Sequence, residues 1–450
     1  MNMNLAPALK LITLNKVFQN SLWGIVSSLF QNIVFSIFFI ILARKLDSSV
    51  LSSYIISNTF YGLMLSFSSL GMGQWFVRKM ISDSKNITYI NLFISVQLFS
   101  GILFYIILNL IIISMYDEVL IHQISFILGF NIILDNLLYV TKNINVINNN
   151  QRKTFIITSV EALLKLIFAY FIWYYGASIV FIVFTLVLLR LLSVFIFIQF
   201  GLPESIFIQF RSILYSFNGS ELIQTIRSNR YFILIGSISV LYWSYGNIIV
   251  SKIIGLNFVP HFEISYKLFT MAELVPLVFS ASIFPILSKK YKSDYDGLGV
   301  YFRKVFWLYA FYGFISFAFI LFFADYFIPL LFGSGYQDTP KYCTQLFYTM
   351  LLFPSSLLQA NLIIAIGYER RDMLFNLSML IAHIVISLSL LSVFKDLTYL
   401  NLSIFLSFLL FHVSQDIFLF KNGYLHRKDI CLFYSIIVLL VSISILFKIL

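Results

Sequence analysis

The sequence predicts an all-α integral membrane protein, with about twelve transmembrane helices in two six-helix bundles. Of the 450 residues, 60% are hydrophobic and only 11% are charged, whereas a soluble domain carries about 25% charged residues. The apolar residues also form blocks of about 20, the helix length that crosses about 30 Å of hydrocarbon. A transmembrane β-barrel would show short alternating segments instead. The composition therefore excludes soluble protein classes.

The apolar blocks define twelve spans and a possible thirteenth, which would be either a true span or a helix at the membrane interface. The first block is too long for a signal-peptide core, so we expect it to be retained as a span. The predicted spans are residues 22–42, 50–73, 90–114, 119–141, 154–174, 177–200, 231–251, 258–288, 304–330, 342–366, 373–394, 398–420 and 430–449.

The basic residues lie mainly on one side of the predicted membrane. The chain has 30 lysines and arginines and a net charge of +11. When the N-terminus is placed in the cytoplasm, most of these residues fall in cytoplasmic segments, as the positive-inside rule requires. The net charge thus reflects topology and contact with anionic membrane lipid, and it does not indicate nucleic-acid binding.

The two halves of the chain repeat with a spacing of about 210 residues, which is typical of transporters built from parallel repeats. Ser53-Tyr54 in the second span corresponds to Ser265-Tyr266 in the eighth, and a basic pair follows each of these spans. The repeat predicts an N-terminal bundle over residues 1–215 and a C-terminal bundle over 216–450, with a substrate site between them. The second bundle would carry the extra C-terminal helix.

Several short motifs resemble those of Wzx-type O-antigen flippases in the multidrug/oligosaccharidyl-lipid/polysaccharide exporter superfamily, whose fold is MATE-like. They run in the same order from about residue 15 to about residue 420, and the apolar block after residue 429 departs from the pattern. The motifs are Leu42-Ala-Arg-Lys-Leu-Asp-Ser-Ser, Ser69-Leu-Gly-Met-Gly, Val77-Arg-Lys, Tyr266-Lys-Leu, Ser282-Ile-Phe-Pro-Ile-Leu-Ser, Leu331-Phe-Gly-Ser-Gly-Tyr and Ile366-Gly-Tyr-Glu-Arg-Arg.

The resemblance implies a multi-pass protein of the bacterial inner membrane. Its substrate would be an undecaprenyl-pyrophosphate-linked oligosaccharide repeat unit of O-antigen or capsule. The protein would flip this lipid from the cytoplasmic to the periplasmic leaflet by alternating access through a cationic central cavity. The polysaccharide polymerase and the chain-length regulator would be its protein partners.

Three basic residues lie inside predicted spans, where a charge costs about 2.5–3.5 kcal/mol at the bilayer centre. They are Lys165, Arg190 and Lys267. Two interpretations of Arg190 are open: it pairs with an acid on a neighbouring helix, such as Glu161 or Asp135, or it is a cavity cation for the pyrophosphate or its sugar. Together the three cations would give the cavity a positive field suited to an anionic headgroup.

Four carboxylates in the spans are candidates for ion pairing or for coupling to a proton or Na⁺. Glu161 and Glu263 each precede a lysine by four residues, the spacing that favours a pair on one helix face, whereas Asp135 and Glu273 have no such neighbour. We predict no catalytic residues, no metal site and no bound cofactor. The two cysteines do not have metal-ligand spacing.

Three alternatives remain to be weighed against the flippase. A cation-coupled multidrug exporter of the same superfamily would favour acidic residues in the first or seventh span, and neither has one. A surface-polysaccharide polymerase would need a large outer loop, and the predicted outer loops are short. A lipid II flippase would carry several basic residues in its first two spans. No phosphate-binding Gly-x-x-x-x-Gly-Lys-Ser/Thr loop occurs, so ATP hydrolysis by this chain would not drive transport.

Overall fold

The computed structural model describes residues 6–82, 87–201 and 219–449, and every regular element within these ranges is helical. The chain divides into two compact units, unit 1 (residues 1–237) and unit 2 (residues 238–450). The predicted boundary between residues 215 and 216 lies outside the described residues.

Unit 1 is built from eight α-helices and the beginning of a ninth, and a π-helical turn (Phe197–Gly201) extends the eighth. The helices are α1 (Ala6–Lys45), α2 (Ser48–Ser68), α3 (Met72–Ser82), α4 (Ile87–Met115), α5 (Val119–Gly129), α6 (Asn131–Ile147), α7 (Gln151–Tyr175), α8 (Ile179–Ile196) and α9 (Gly219–Ile249).

Unit 2 begins within α9, which a π-helical turn (Val250–Ile254) and a 3₁₀ turn (Leu256–Phe258) follow. Further 3₁₀ turns, Ser334–Tyr336 and Thr349–Leu351, flank the third helix in the list. The helices are α10 (Val259–Ser293), α11 (Tyr295–Phe332), α12 (Thr339–Leu346), α13 (Phe353–Ala365), α14 (Glu369–Phe394), α15 (Leu397–Lys421) and α16 (Arg427–Ile449).

Twelve stretches of the described chain are long and apolar enough to cross a membrane, which confirms the predicted fold class. They include Arg427–Leu446 in α16, so the thirteenth apolar block is a helix of spanning length. The predicted span 231–251 lies mostly in α9 and is additional to these twelve.

The exposed surface of these helices is suited to contact with lipid rather than with water. On α4, large apolar side chains at helical spacing are exposed from the structure: Ile102, Ile106, Leu110 and Ile113. A soluble monomer rarely exposes so continuous an apolar surface. The stripe therefore marks the lipid-facing side of α4.

The predicted second span, 50–73, ends earlier than its hydropathy indicates. Leu70 and Gly71 both have positive φ (49° and 60°), and this turn separates α2 from the short amphipathic helix α3. The backbone carbonyls at the end of α2 need new donors: Gln97 and Ser100 of α4 supply them at 3.1 and 2.8 Å. Helix α3 then packs its aromatic residues against α4 and α6.

The repeated Ser-Tyr pair has the same local geometry in both units. Ser53 in α2 donates to the carbonyl of Ser49 at 3.0 Å, and Ser265 in α10 donates to the carbonyl of His261 at 2.8 Å. Both serines are buried. The same bond to the carbonyl four residues earlier recurs at other serines, such as Ser57 and Ser414, so it does not test the predicted repeat.

Prolines shape the helices of unit 2. The predicted tenth span is interrupted by the 3₁₀ turn Thr349–Leu351 and resumes with Pro354 in the first turn of α13. Helix α10 continues through Pro276, which has no N–H for the carbonyl of Ala272 four residues earlier. Tyr312 of α11 donates to that carbonyl at 2.7 Å and so replaces the missing hydrogen bond.

Candidate functional site

A cavity of about 240 Å³, lined by both polar and apolar side chains, lies within unit 1. Helices α1, α2, α5, α6, α7 and α8 line it with residues near the middle of their spans. Its charged lining residues are Glu161, Lys165 and Arg190. A cavity with charged lining residues at this depth is the usual setting for a transporter's binding groups, because charges in a membrane face the protein interior.

Arg190 is the centre of the charged cluster. Its Nε lies 3.0 Å from Asp135 Oδ1, and its Nη1 lies 3.0 Å from each carboxylate oxygen of Glu161. The two acids come from α6 and α7, whereas Arg190 is on α8. The structure therefore agrees with the interpretation that Arg190 pairs with an acid on a neighbouring helix. Both of the acids named as possible partners, Asp135 and Glu161, are paired with it.

Two further groups complete the cluster. Lys165 Nζ lies 2.6 Å from Glu161 Oε1, one helical turn away on α7, and the hydroxyl of Tyr61 on α2 donates to Asp135. Two cations thus face two carboxylates, and a third cation, Lys142 of α6, interacts electrostatically with the same groups. Pairing lowers the cost of burying each charge and fixes the positions of four helices relative to one another.

In unit 2 the predicted residues are arranged in a smaller group. Lys267 Nζ lies 3.2 Å from Glu263 Oε1, and the side-chain amide of Asn247 donates to Glu263 Oε2 at 2.7 Å. Glu273, ten residues further along α10, has one buried carboxylate oxygen with no hydrogen-bond partner among the described residues. Glu273 thus differs from the other three candidate carboxylates, which are all paired.

Unit 2 also contains a buried polar network around His412 and Asp416. The two ring nitrogens of His412 form hydrogen bonds, one with the hydroxyl of Ser355 at 2.9 Å and one with the carboxylate of Asp416 at 2.9 Å. Asp416 also accepts from Gln359 at 2.6 Å and from Tyr434 at 2.7 Å. The network joins α13, α15 and α16.

Sequence reasoning missed several polar residues that line the cavity in unit 1. Tyr61 holds Asp135, and the amides of Asn58 and Asn131 face the same space. A signal was available, because an asparagine in the middle of an apolar span must find a hydrogen-bond partner or a wet surface.

Solved structures similar to this chain are transporters with the same fold. An inward-facing multidrug resistance MATE transporter of the MOP superfamily has a TM-score of 0.70 and 13% identity, and the match covers 91% of this chain and 96% of the other. The lipid II flippase MurJ has a TM-score of 0.68 and 14% identity, with 95% and 92% covered. A MOP-superfamily transporter from Pyrococcus furiosus has a TM-score of 0.59 and 14% identity, with 94% and 96% covered.

At the sequence level, a comparison with curated proteins gives no significant match. A family model described as "Polysaccharide biosynthesis protein" matches residues 41–341. That stretch contains most of the motifs that resemble the polysaccharide exporters, and the match confirms the resemblance. The chain is a MATE-like membrane protein that belongs to the polysaccharide biosynthesis protein family.

Proposed function

We propose that this protein flips undecaprenyl-pyrophosphate-linked oligosaccharide repeat units from the cytoplasmic to the periplasmic leaflet of the bacterial inner membrane. The observation that carries the proposal is a cavity that holds a charged cluster in the middle of a membrane bundle, in a chain of a polysaccharide biosynthesis family. A sugar headgroup needs polar surface to cross hydrocarbon, because its hydroxyls would otherwise lose their hydrogen bonds.

The buried cations are proposed to serve the anionic part of the substrate. Lys165, Arg190 and Lys267 are each held by a carboxylate. Uptake of one proton by Asp135 or Glu161 would release a cation from its carboxylate partner, and the released positive charge would attract a pyrophosphate. Proton uptake would thereby be coupled to substrate binding, and Na⁺ is the alternative coupling ion. A polymerase and a chain-length regulator are the proposed partners downstream.

Gene deletion tests the proposed function. The strain without this gene should lose its surface polysaccharide and accumulate lipid-linked repeat units in the cytoplasmic leaflet, and the intact gene should restore both. Surface polysaccharide that persists unchanged contradicts the proposal. If single repeat units still reach the outer leaflet while long chains disappear, the protein is the polymerase instead.

Multidrug export is the second candidate, because the fold is shared with a multidrug resistance transporter. It predicts that the deletion strain becomes sensitive to cationic drugs while its surface polysaccharide is unchanged. The family match favours the flippase, since the family model that covers residues 41–341 is that of a polysaccharide biosynthesis protein.

A further inference from the structure

Four amide side chains line the cavity of unit 1: Gln31, Asn32, Asn58 and Asn131. Asn131 is only 5% exposed, and its Oδ1 accepts no hydrogen bond from any described residue. Buried amide oxygens are normally paired. Asn131 therefore offers an acceptor to whatever enters the cavity.

Aromatic side chains share the cavity wall with these amides. Tyr54 and Tyr61 come from α2, and Phe35 and Phe38 come from α1. Amides carry both donors and acceptors, and aromatic rings offer flat apolar surface. A sugar ring has the complementary properties, because its hydroxyls both donate and accept while its C–H groups form an apolar face.

The charged groups at the cavity are already paired with one another in the ionised state of the cluster, which disfavours a charged ligand. Lys165 and Arg190 balance Asp135 and Glu161 through contacts of 2.6–3.0 Å. A charged ligand would have to displace one of these partners or stay unpaired near the middle of the bilayer, where an unpaired charge is costly. An uncharged polar ligand does neither.

The volume of the cavity limits the ligand to a small one. At about 240 Å³ it is smaller than the roughly 300–1,000 Å³ of pockets that hold drug-sized ligands. It equals the space of roughly eight water molecules at about 30 Å³ each. One sugar ring fits this space, and the rest of an oligosaccharide would lie outside it.

We propose that the cavity of unit 1 binds one uncharged sugar ring of the transported oligosaccharide, with Asn131 as a recognition residue. This proposal rests on the proposed function, because the sugar belongs to that substrate. The cavity then selects for a neutral sugar at one position of the repeat unit. It selects against a uronic acid or an amino sugar with a free amine.

Binding to the purified full-length protein tests the proposal. Methyl glucoside, methyl galactoside and N-acetylglucosamine are titrated as neutral probes, with glucuronic acid as the acidic probe. At least one neutral sugar should bind the wild type at millimolar concentration, and glucuronic acid should bind more weakly. For Asn131→Leu we expect binding about tenfold weaker, the loss of roughly one hydrogen bond.

Asn148→Leu is the matched control, since Asn148 is an exposed residue at the end of the same helix, α6. It should bind sugar like the wild type. No binding by any neutral probe, equal binding of glucuronic acid, or an unchanged affinity of Asn131→Leu overturns the proposal. If Asn131→Leu does not fold, Asn58→Leu tests the same wall of the cavity from α2.

Complementation of the deletion strain separates this proposal from the proposed function. If the wild-type gene restores surface polysaccharide while Asn131→Leu restores it equally well and keeps its sugar affinity, only the cavity proposal fails. If the wild-type gene restores nothing because the strain had lost nothing, the flippase function fails, and the sugar titration still reports on the cavity directly.

Discussion

Unit 1 gathers its buried charges around a cavity, whereas unit 2 buries a comparable polar set among packed rings. Arg190 and its partners line about 240 Å³ of space. His412 is fully buried and stacks on Phe433, with ring centroids 4.9 Å apart and an interplanar angle of 11°. Polar groups beside a cavity can meet a ligand, but those under a stacked ring can only hold helices together.

Buried polar residues that look alike in the sequence therefore have different roles in the two units. His412 and Asp416 of α15 form hydrogen bonds with Tyr434 of α16, which hold the C-terminal helix against the rest of unit 2. Trp307 adds a second tie by donating to Asp429 at 3.0 Å. Substitutions in the cluster of unit 1 should therefore reduce transport even by molecules that fold. Substitutions in the network of unit 2 should reduce only the stability of the fold.

The largest effect is expected from Arg190→Leu. Removing the cation leaves Asp135 and Glu161 with excess negative charge, and breaking a buried ion pair in this way costs about 3–5 kcal/mol. We expect a large drop in the thermal unfolding temperature and loss of surface polysaccharide. Adding Asp135→Asn removes one of the unpaired charges and should recover part of the stability. An Arg190→Leu protein as stable as the wild type would show that the cluster is not an energetic unit.

Asp416→Leu should destabilise unit 2 without affecting transport by the molecules that fold. It leaves the hydroxyl of Tyr434 and the amide of Gln359 without their acceptor, at a cost of about 1–3 kcal/mol. Surface polysaccharide, normalised to the amount of folded protein in the membrane, measures the outcome. A normalised value well below that of the wild type would end the contrast between the units.

Tyr312→Phe should cost about 1 kcal/mol, because the carbonyl of Ala272 loses the hydrogen bond that replaces the one Pro276 removes. In a Pro276→Ala background the helix can supply its own N–H to that carbonyl. The same tyrosine substitution should then be nearly neutral. Thermal unfolding is measured for the wild type, the two single variants and the double variant, which together form a double-mutant cycle. Equal costs of Tyr312→Phe in both backgrounds would show that Tyr312 does not replace the missing hydrogen bond.

The smallest effect is expected outside both buried sets, at Asp294 before α11. Hydrogen bonds from Lys290 and from the backbone N–H of Gly297 hold the pKa of this exposed carboxyl below its usual value. A lowered pKa stabilises the folded state above the ordinary carboxyl pKa, and the gain is lost as the pH falls through the lowered value. The Asp294→Ala protein should thus have a slightly lower unfolding temperature than the wild type at neutral pH, and the same unfolding temperature in acid. A difference that persists in acid contradicts this.

The parts of the site that were predictable depend on local spacing. Glu161–Lys165 and Glu263–Lys267 are four residues apart on single helices, so hydropathy and helical periodicity suffice to pair them. The partners of Arg190 come from two other helices, and the sequence could only narrow them to two acids. The structure uses both, because the guanidinium has several donors.

The cavity itself could not be predicted, because it depends on packing between helices distant in sequence. Asn58 and Asn131 share its wall although α2 and α6 are far apart along the chain. Hydropathy also failed at Leu70–Gly71, where backbone conformation ends a helix inside an apolar run. Apolar content sets how much chain is buried in lipid, and it does not report where the backbone turns.

Helix α16 follows α15 as a further stretch of spanning length, and the twelve such stretches together with α9 make an odd number. If each of these stretches and α9 crosses the membrane, the beginning of α1 and the end of α16 lie on opposite faces. A reporter that fluoresces only in the cytoplasm should therefore give opposite signals at the two ends. Antibodies or cytoplasmic partners that reach one end of the protein would have no access to the other.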